Sequence, residues 1–294
     1  MAEVNPMALK QLPDRVGTSL HGPIPPERYW AYYTWQEIDE IAKGDPNATA
    51  VLNVGAVEQH GPHLPLLTDT LAGMEVLGAA LARLPDDVMV LALPPTTFGK
   101  SVEHMAFPGT LTFTGETLRM VLRDLAMSVA RSGFHKLVLL GSHGGNVGAI
   151  DDFFRDLQIE TQMRVFKIFL GSLAPVPGLV APEEAAIAMH AGDSETSMVR
   201  HLAPALVHMD RAEGWVFDPT PDIGYSFKGN DVIESWVTPH LSESGAVGNP
   251  HPSSAEKGQK IFEAKVARLA EVLESVYRSE PRQIRVAPLP ARVP

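Results

Sequence analysis

Four short apolar runs, at 49–57, 88–93, 136–140 and 164–170, alternate with stretches in which apolar residues recur at helical spacing. That alternation constrains the fold more than any other property of the chain. A strand buries a face with period two and a helix buries a stripe with period 3.6. A chain that keeps switching between the two folds as helices on both sides of a largely parallel sheet. Thr34 and Glu37 form a capping box for a first helix that stops at Gly44. Leu71, Met74, Leu77 and Leu81 make the stripe of a helix over 70–84, and Leu118, Val121, Leu122, Leu125 and Val129 that of a helix over 117–131. Ile150, Phe153, Phe154 and Leu157 mark another, and a second capping box, Ser253 with Glu256, opens the last. One α/β domain over 31–279 is expected. Pro6, Pro13, Pro23, Pro25 and Pro26 predict an extended arm over 1–30, and Pro281, Pro288, Pro290 and Pro294 a tail over 280–294.

Composition narrows the function. With 24 Lys and Arg against 35 Asp and Glu, the formal charge of -11 argues against a nucleic-acid partner, which needs a basic footprint. The chain has no Cys, so disulfides, thiolate zinc sites and a Cys nucleophile are excluded, and any metal is held by His, Asp and Glu. No apolar run is long enough to span a membrane, and no basic segment followed by an apolar core marks a leader. A cytoplasmic location is expected.

The chemistry-bearing residues follow the strands. In open α/β sheets, ligands bind beyond the carboxyl ends of the strands. Glu58 and His60 follow the first run, and residues two apart on a strand face the same side. His143 follows the third run, within Gly141-Ser142-His143-Gly144-Gly145-Asn146. A carboxylate and imidazoles brought together there suit a divalent metal. Asp69 reads first as a helix N-cap, a role compatible with bridging two metals through its other oxygen, and Asn146 reads as a cap first and a substrate contact second. Asp193 or Ser194 would cap a helix whose first turn carries Glu195, and His190 and Glu195 could approach the same cleft. Glu103 and His104, in the loop after the second run, are candidate substrate contacts. The chain carries no G-x-S-x-G elbow, phosphate loop, dinucleotide fingerprint or H-E-x-x-H.

Together these segments resemble the creatininase family. The resemblance is carried by Gly55 through His63 with Asp69, by Phe107-Pro108-Gly109-Thr110, by Gly141 through Asn146, and by His190-Ala191-Gly192 with Glu195-Thr196-Ser197. It covers about residues 34–277. It implies a three-layer α/β/α sandwich and a two-metal site, with Glu58, Asp69 and His143 on one ion, His60 and Asp69 on the other, and Asp69 bridging. Creatinine-hydrolysing members complete the second site with a Glu where this chain has Gly145, so that ligand must come from elsewhere, and Glu195 is the candidate. They also line the ring pocket with tryptophans, whereas this chain has none between Trp35 and Trp215. Creatinine itself is therefore disfavoured. Relatives with the Gly-Gly form include formamide hydrolases and a peptidase of mycofactocin maturation. The resemblance further implies a homohexamer.

The expected activity is hydrolysis of a C–N bond in a small cyclic amide or formamide by metal-bound hydroxide, with His190 passing the proton to the leaving nitrogen. Two divalent ions are expected, zinc ahead of manganese or iron(II). A lactone or ester hydrolase, or a catalytically idle assembly subunit, remains open as an alternative.

Overall fold

The structure is a computed structural model that describes residues 21–214, 232–280 and 282–287. Helix α1 (Trp35–Gly44) starts where the sequence places it, with Thr34 Oγ1 accepting from Glu37 N and the Glu37 carboxylate accepting from Thr34 N. There follow β1 (Thr49–Val54), α2 (Thr68–Leu81), β2 (Val90–Ala92), α3 (Gly115–Arg131), β3 (Lys136–Gly141), α4 (Asn146–Thr161) and β4 (Arg164–Phe169). The later helices are α5 (Pro182–Ile187), α6 (Asp193–Leu202), α7 (Thr238–Leu241) and α8 (Ala255–Arg278).

The four strands form one parallel sheet in the order β2-β1-β3-β4, with β1 and β3 in register from Thr49 opposite Lys136 to Val54 opposite Gly141. Every residue of β1 and β3 is buried. The pleat divides their side chains between two cores. Ala50, Leu52, Val54, Leu137 and Leu139 pack with residues of α1, α3 and α4. Val51, Val138 and Leu140 face the other way and pack with residues of α2 and α8. The architecture is the expected α/β/α sandwich.

Two expectations are corrected. Residues 21–30 are not an extended arm: Ile24 is fully buried in the second core, Arg28 donates to Pro85 O, and Tyr29 bridges to Ala92. An apolar side chain at position 24 gains more from that core than from water. The rest of the expected arm, the tail at 281 and 288–294, and Trp215 lie outside the described residues. The last helix is capped by Ser254, which accepts from Lys257 N, rather than by Ser253. Ser253 instead receives the Arg200 guanidinium on its hydroxyl and carbonyl.

Candidate metal centre

The segments leaving the carboxyl ends of β1, β2 and β3 converge. The sheet ends at Val54, four residues before Glu58, so the two-residue alternation is not what brings Glu58 and His60 together. The loop does so. Glu58 N donates to Leu66 O, Gln59 N to Thr110 Oγ1, and the chain turns back at Gly61 with φ +66, a conformation that glycine adopts without strain. Asp69 lies inside the first turn of α2 rather than capping it, since the cap position is Leu67. Its side chain is thereby free for the site.

The resulting cluster is almost wholly enclosed by protein. Glu58, His60, Asp69, His104, His143 and His190 are all buried. His143 Nδ1 lies 3.0 Å from Asp69 Oδ2, and its Nε2 lies 3.2 Å from Glu58 Oε2. His60 Nε2 lies 3.6 Å from Asp69 Oδ1 and 3.9 Å from Glu58 Oε1. His190 Nδ1 lies 3.6 Å from the same Glu58 oxygen.

The backbone fixes which nitrogen of each ring carries hydrogen, because a carbonyl only accepts. His60 Nδ1 donates to Glu58 O at 3.1 Å, His143 Nε2 to Lys100 O at 2.9 Å, and His190 Nε2 to Gln59 O at 2.5 Å. In the neutral form of each ring the other nitrogen therefore turns a lone pair toward the two carboxylates. Anchoring one ring nitrogen on a carbonyl while the other faces carboxylate oxygens is the arrangement of a metal-ligating histidine.

Electrostatics point the same way. Burial pushes the Glu58 carboxyl up, with Asp69 adding to it and His143 and His60 opposing, to about 8. Burial disfavours charge on His60 and His143, but the facing carboxylates outweigh it and lift them to about 10 and about 9. Burial also penalises the Asp69 carboxylate, yet His60 and His143 hold it below the usual range. Without an ion, the cluster draws protons in as substitute cations. Even so, Glu58 Oε1 and Oε2, His60 Nε2 and Asp69 Oδ2 have no hydrogen-bond partner. Each such buried orphan costs about 1–3 kcal/mol, so the donor set fits a bound cation and is costly without one.

Glu195 reaches this centre from α6. Its Oε2 accepts from Ala191 N at 2.6 Å, and it presents a ligand atom within 4.8 Å of His60 and His190. Ala191 between them has φ 54, a left-handed conformation that costs a non-glycine residue about 1–3 kcal/mol and folds His190 and Glu195 onto one side. The expected side-chain cap of this helix is not formed. Gly192 occupies the cap position, and Asp193 instead accepts from Ser197 and Lys257.

The three expected substrate contacts sit in different surroundings. Asn146 is fully buried and its amide is spent on backbone: it donates to Val54 O and Gly55 O and accepts from Lys100 N. It begins α4 without capping it and braces the loops beneath the centre. His104 lies inside the cluster, its Nε2 3.4 Å from Glu58 Oε1. Glu103 remains partly accessible, near Lys100 Nζ at 3.6 Å and His143 Nε2 at 4.0 Å. Sequence reasoning passed over Gln59, whose side chain bonds His104, Gly61 and Gly245. Its place between Glu58 and His60 was the only signal.

The creatininase description, creatinine amidohydrolase, matches residues 31–273. This chain belongs to the creatininase family. It is 33% identical over 222 residues to the mycofactocin precursor peptide peptidase of Mycobacterium tuberculosis (strain ATCC 25618 / H37Rv), covering 74% of this chain and 80% of the relative. It is 29% identical over 263 residues to the creatinine amidohydrolase of Pseudomonas putida, covering 83% and 95%. A solved mutant creatininase of Zn–Zn type is 26% identical with a TM-score of 0.67, covering 85% of this chain and 98% of that one. The protein is thus a creatininase-family hydrolase with residues suited to metal binding.

Proposed function

We propose that this creatininase-family member is a binuclear metal-dependent amidohydrolase that cleaves the C–N bond of a small cyclic amide or formamide. The observation that carries the proposal is the set of four unpartnered buried atoms on Glu58, His60 and Asp69, closed on one side by His143. Glu58, Asp69 and His143 would hold one divalent ion, and His60, Asp69 and Glu195 the other. Zinc is the expected metal, in keeping with the Zn–Zn relative. Such ions, when bound, supply Lewis acidity that polarises an amide carbonyl and makes water acidic near neutral pH.

The chain's own residues supply positioning and proton transfer. His190 has its Nε2–H committed to Gln59 O, so only Nδ1 can take up a proton. Burial, with His60 and His104 adding to it, keeps its pKa well below the ordinary histidine value and leaves that lone pair free. As a water oxygen adds to the amide carbon, His190 would accept that water's proton at Nδ1 and pass it to the nitrogen, so that the C–N bond breaks and the nitrogen departs as a neutral amine. Glu195, anchored on Ala191 N, fixes the far side of the cleft. Glu103 stands where a substrate's donor groups would meet it. Within this proposal the protein works in the cytoplasm as a homo-oligomer, which fractionation and sedimentation of the native protein test.

A second reading is favoured by one feature. Leu66, Leu67, Met105 and Leu111 are exposed and flank the segments that carry Glu58, Asp69 and His104. An apolar rim suits a chain-like substrate better than a small polar ring, and a relative at 33% identity is named a peptide peptidase. Elemental mass spectrometry on protein purified without chelators or a His-tag, followed by a panel of cyclic amides, formamides, lactones and short peptides, tests both. About two divalent ions per chain with amide turnover supports the proposal, and turnover of peptides alone selects the second reading. Lactone turnover alone, or no ions after incubation with zinc, manganese or iron(II), overturns it.

A further inference from the structure

His104 differs from the other three imidazoles of the cluster. The amide of Gln59 is oriented at both ends: its Oε1 accepts from Gly61 N at 2.8 Å, and its Nε2 donates to Gly245 O at 3.0 Å. The same Nε2 lies 2.8 Å from His104 Nδ1. An amide nitrogen only donates, so His104 Nδ1 accepts and carries no hydrogen. The proton of the neutral ring therefore sits on Nε2. Thr238 Oγ1 lies 2.7 Å from Nδ1 and 3.0 Å from Glu103 O, and with Nδ1 bare its single hydroxyl proton turns to Nδ1, which pins the ring from the other side. The ring is buried and stacks on His190 at 4.1 Å with 29° between planes.

Ligand-type atoms of Glu58, His104 and His190 lie within 4.8 Å of one another, which on spacing alone resembles a further metal site. The hydrogen on His104 Nε2 excludes that. As neutral rings, His60 and His190 turn lone pairs toward Glu58 Oε1, whereas neutral His104 turns an N–H toward it at 3.4 Å. We propose that His104 is a positioning residue: Gln59 sets its tautomer, and its Nε2–H, which faces Glu58 Oε1 at 3.4 Å without a formed hydrogen bond, directs Glu58 toward the orientation from which it binds metal. The relay runs from Gly245 and Thr238 in the C-terminal part of the chain, through Gln59 and His104, to a ligand on the loop after β1. Removing such an outer partner characteristically weakens metal binding by about 10–100-fold without removing a ligand.

The inference rests on the metal reading above, and the test separates the two. Zinc is titrated against a competing chelator for the wild type, His104→Ala, His104→Gln and Gln59→Leu, with ions per chain counted at saturation. Gln fills similar space and offers an N–H of similar reach. The expected result is an unchanged number of ions in every variant, binding about 10–100-fold weaker in His104→Ala and Gln59→Leu, and within a few fold of wild type in His104→Gln. Loss of one whole ion per chain in both His104 variants makes His104 a ligand and overturns the inference. So does equal weakening in the Ala and Gln variants, or no weakening in any. Gln59→Leu leaves His104 in place, so the relay is still tested if His104→Ala does not fold. A wild-type chain that binds no zinc overturns the metal reading itself, and this inference falls with it.

Discussion

Gly145 and Gly144 stand side by side in the loop after β3, and the structure separates them sharply. A Cβ at Gly144 meets nothing within 4 Å, whereas a Cβ at Gly145 would lie 2.3 Å from Lys100 O, 2.4 Å from Glu103 Oε1 and 2.4 Å from His143 Nε2. Ordinary contacts begin near 3.4 Å, so the neighbours of Gly145 must retreat by roughly 1 Å. Only Glu103 is a free side-chain end. Lys100 O is backbone, and His143 Nε2 donates to it at 2.9 Å, so relief breaks the bond that orients a metal-ligand candidate. Overpacking of this kind costs about 1–3 kcal/mol, and the lost hydrogen bond adds about 0.5–1.5 kcal/mol. Gly145→Ala should therefore destabilise by about 2–4 kcal/mol, which at about 2–4 °C per kcal/mol lowers Tm by roughly 4–16 °C. Gly144→Ala should fall within about 0.5 kcal/mol of wild type. Thermal unfolding of the three metal-free proteins in one buffer measures this. If the two variants unfold together, the close approach of the 100–104 loop to Gly145 is wrong. If they separate, introducing a Glu at 145, as in the creatinine-hydrolysing members, displaces His143 instead of adding a ligand.

Three further outcomes follow from the same geometry. His190→Ala should lower kcat by about 10²–10⁴-fold with metal content unchanged, and loss of metal together with activity would make His190 a ligand. Metal-free protein should lose stability with rising pH. His60 and His143, held at about 10 and about 9, keep protons in the folded state that the unfolded chain gives up above about 6.5, so their contribution is complete below that pH and is lost as pH rises through 9 to 10. Glu58, at about 8, acts in the same sense at lower pH. Bound metal requires deprotonated ligands and should remove the trend. Urea unfolding at pH 6, 8 and 10, with and without zinc, tests it, and flat metal-free stability contradicts it. Lys136→Met should cost about 2–4 kcal/mol while sparing the specific activity of folded protein, because buried Lys136 Nζ serves Val276 O, Tyr277 O and Ser279 O at 3.0, 2.6 and 2.7 Å, far from the centre.

Much of this was legible locally. The Thr34–Glu37 box, the strand read at 136–140 and the stripe through Leu118 and Leu122 are statements about neighbours in sequence, and local periodicity encodes them. The last cap slipped by one residue because Ser253 and Ser254 are chemically equal, and only Arg200, from another helix, distinguishes them. Strand alternation does not bring Glu58 and His60 together, since the strand has ended before them, yet the loop delivers them to the same place. Asn146 offered a polar side chain in a glycine-rich loop, and nothing in the sequence could say that three backbone groups already claim it.

The sequence by itself determined a parallel α/β sandwich and a supply of oxygen and imidazole donors beyond its strand ends, because both depend on residue type and short-range spacing. The tertiary structure decided what each donor does. Whether an imidazole offers a lone pair or a hydrogen depends on the group opposite its other nitrogen. For His104 that group is the Gln59 amide, which is held by a carbonyl 186 residues further along the chain.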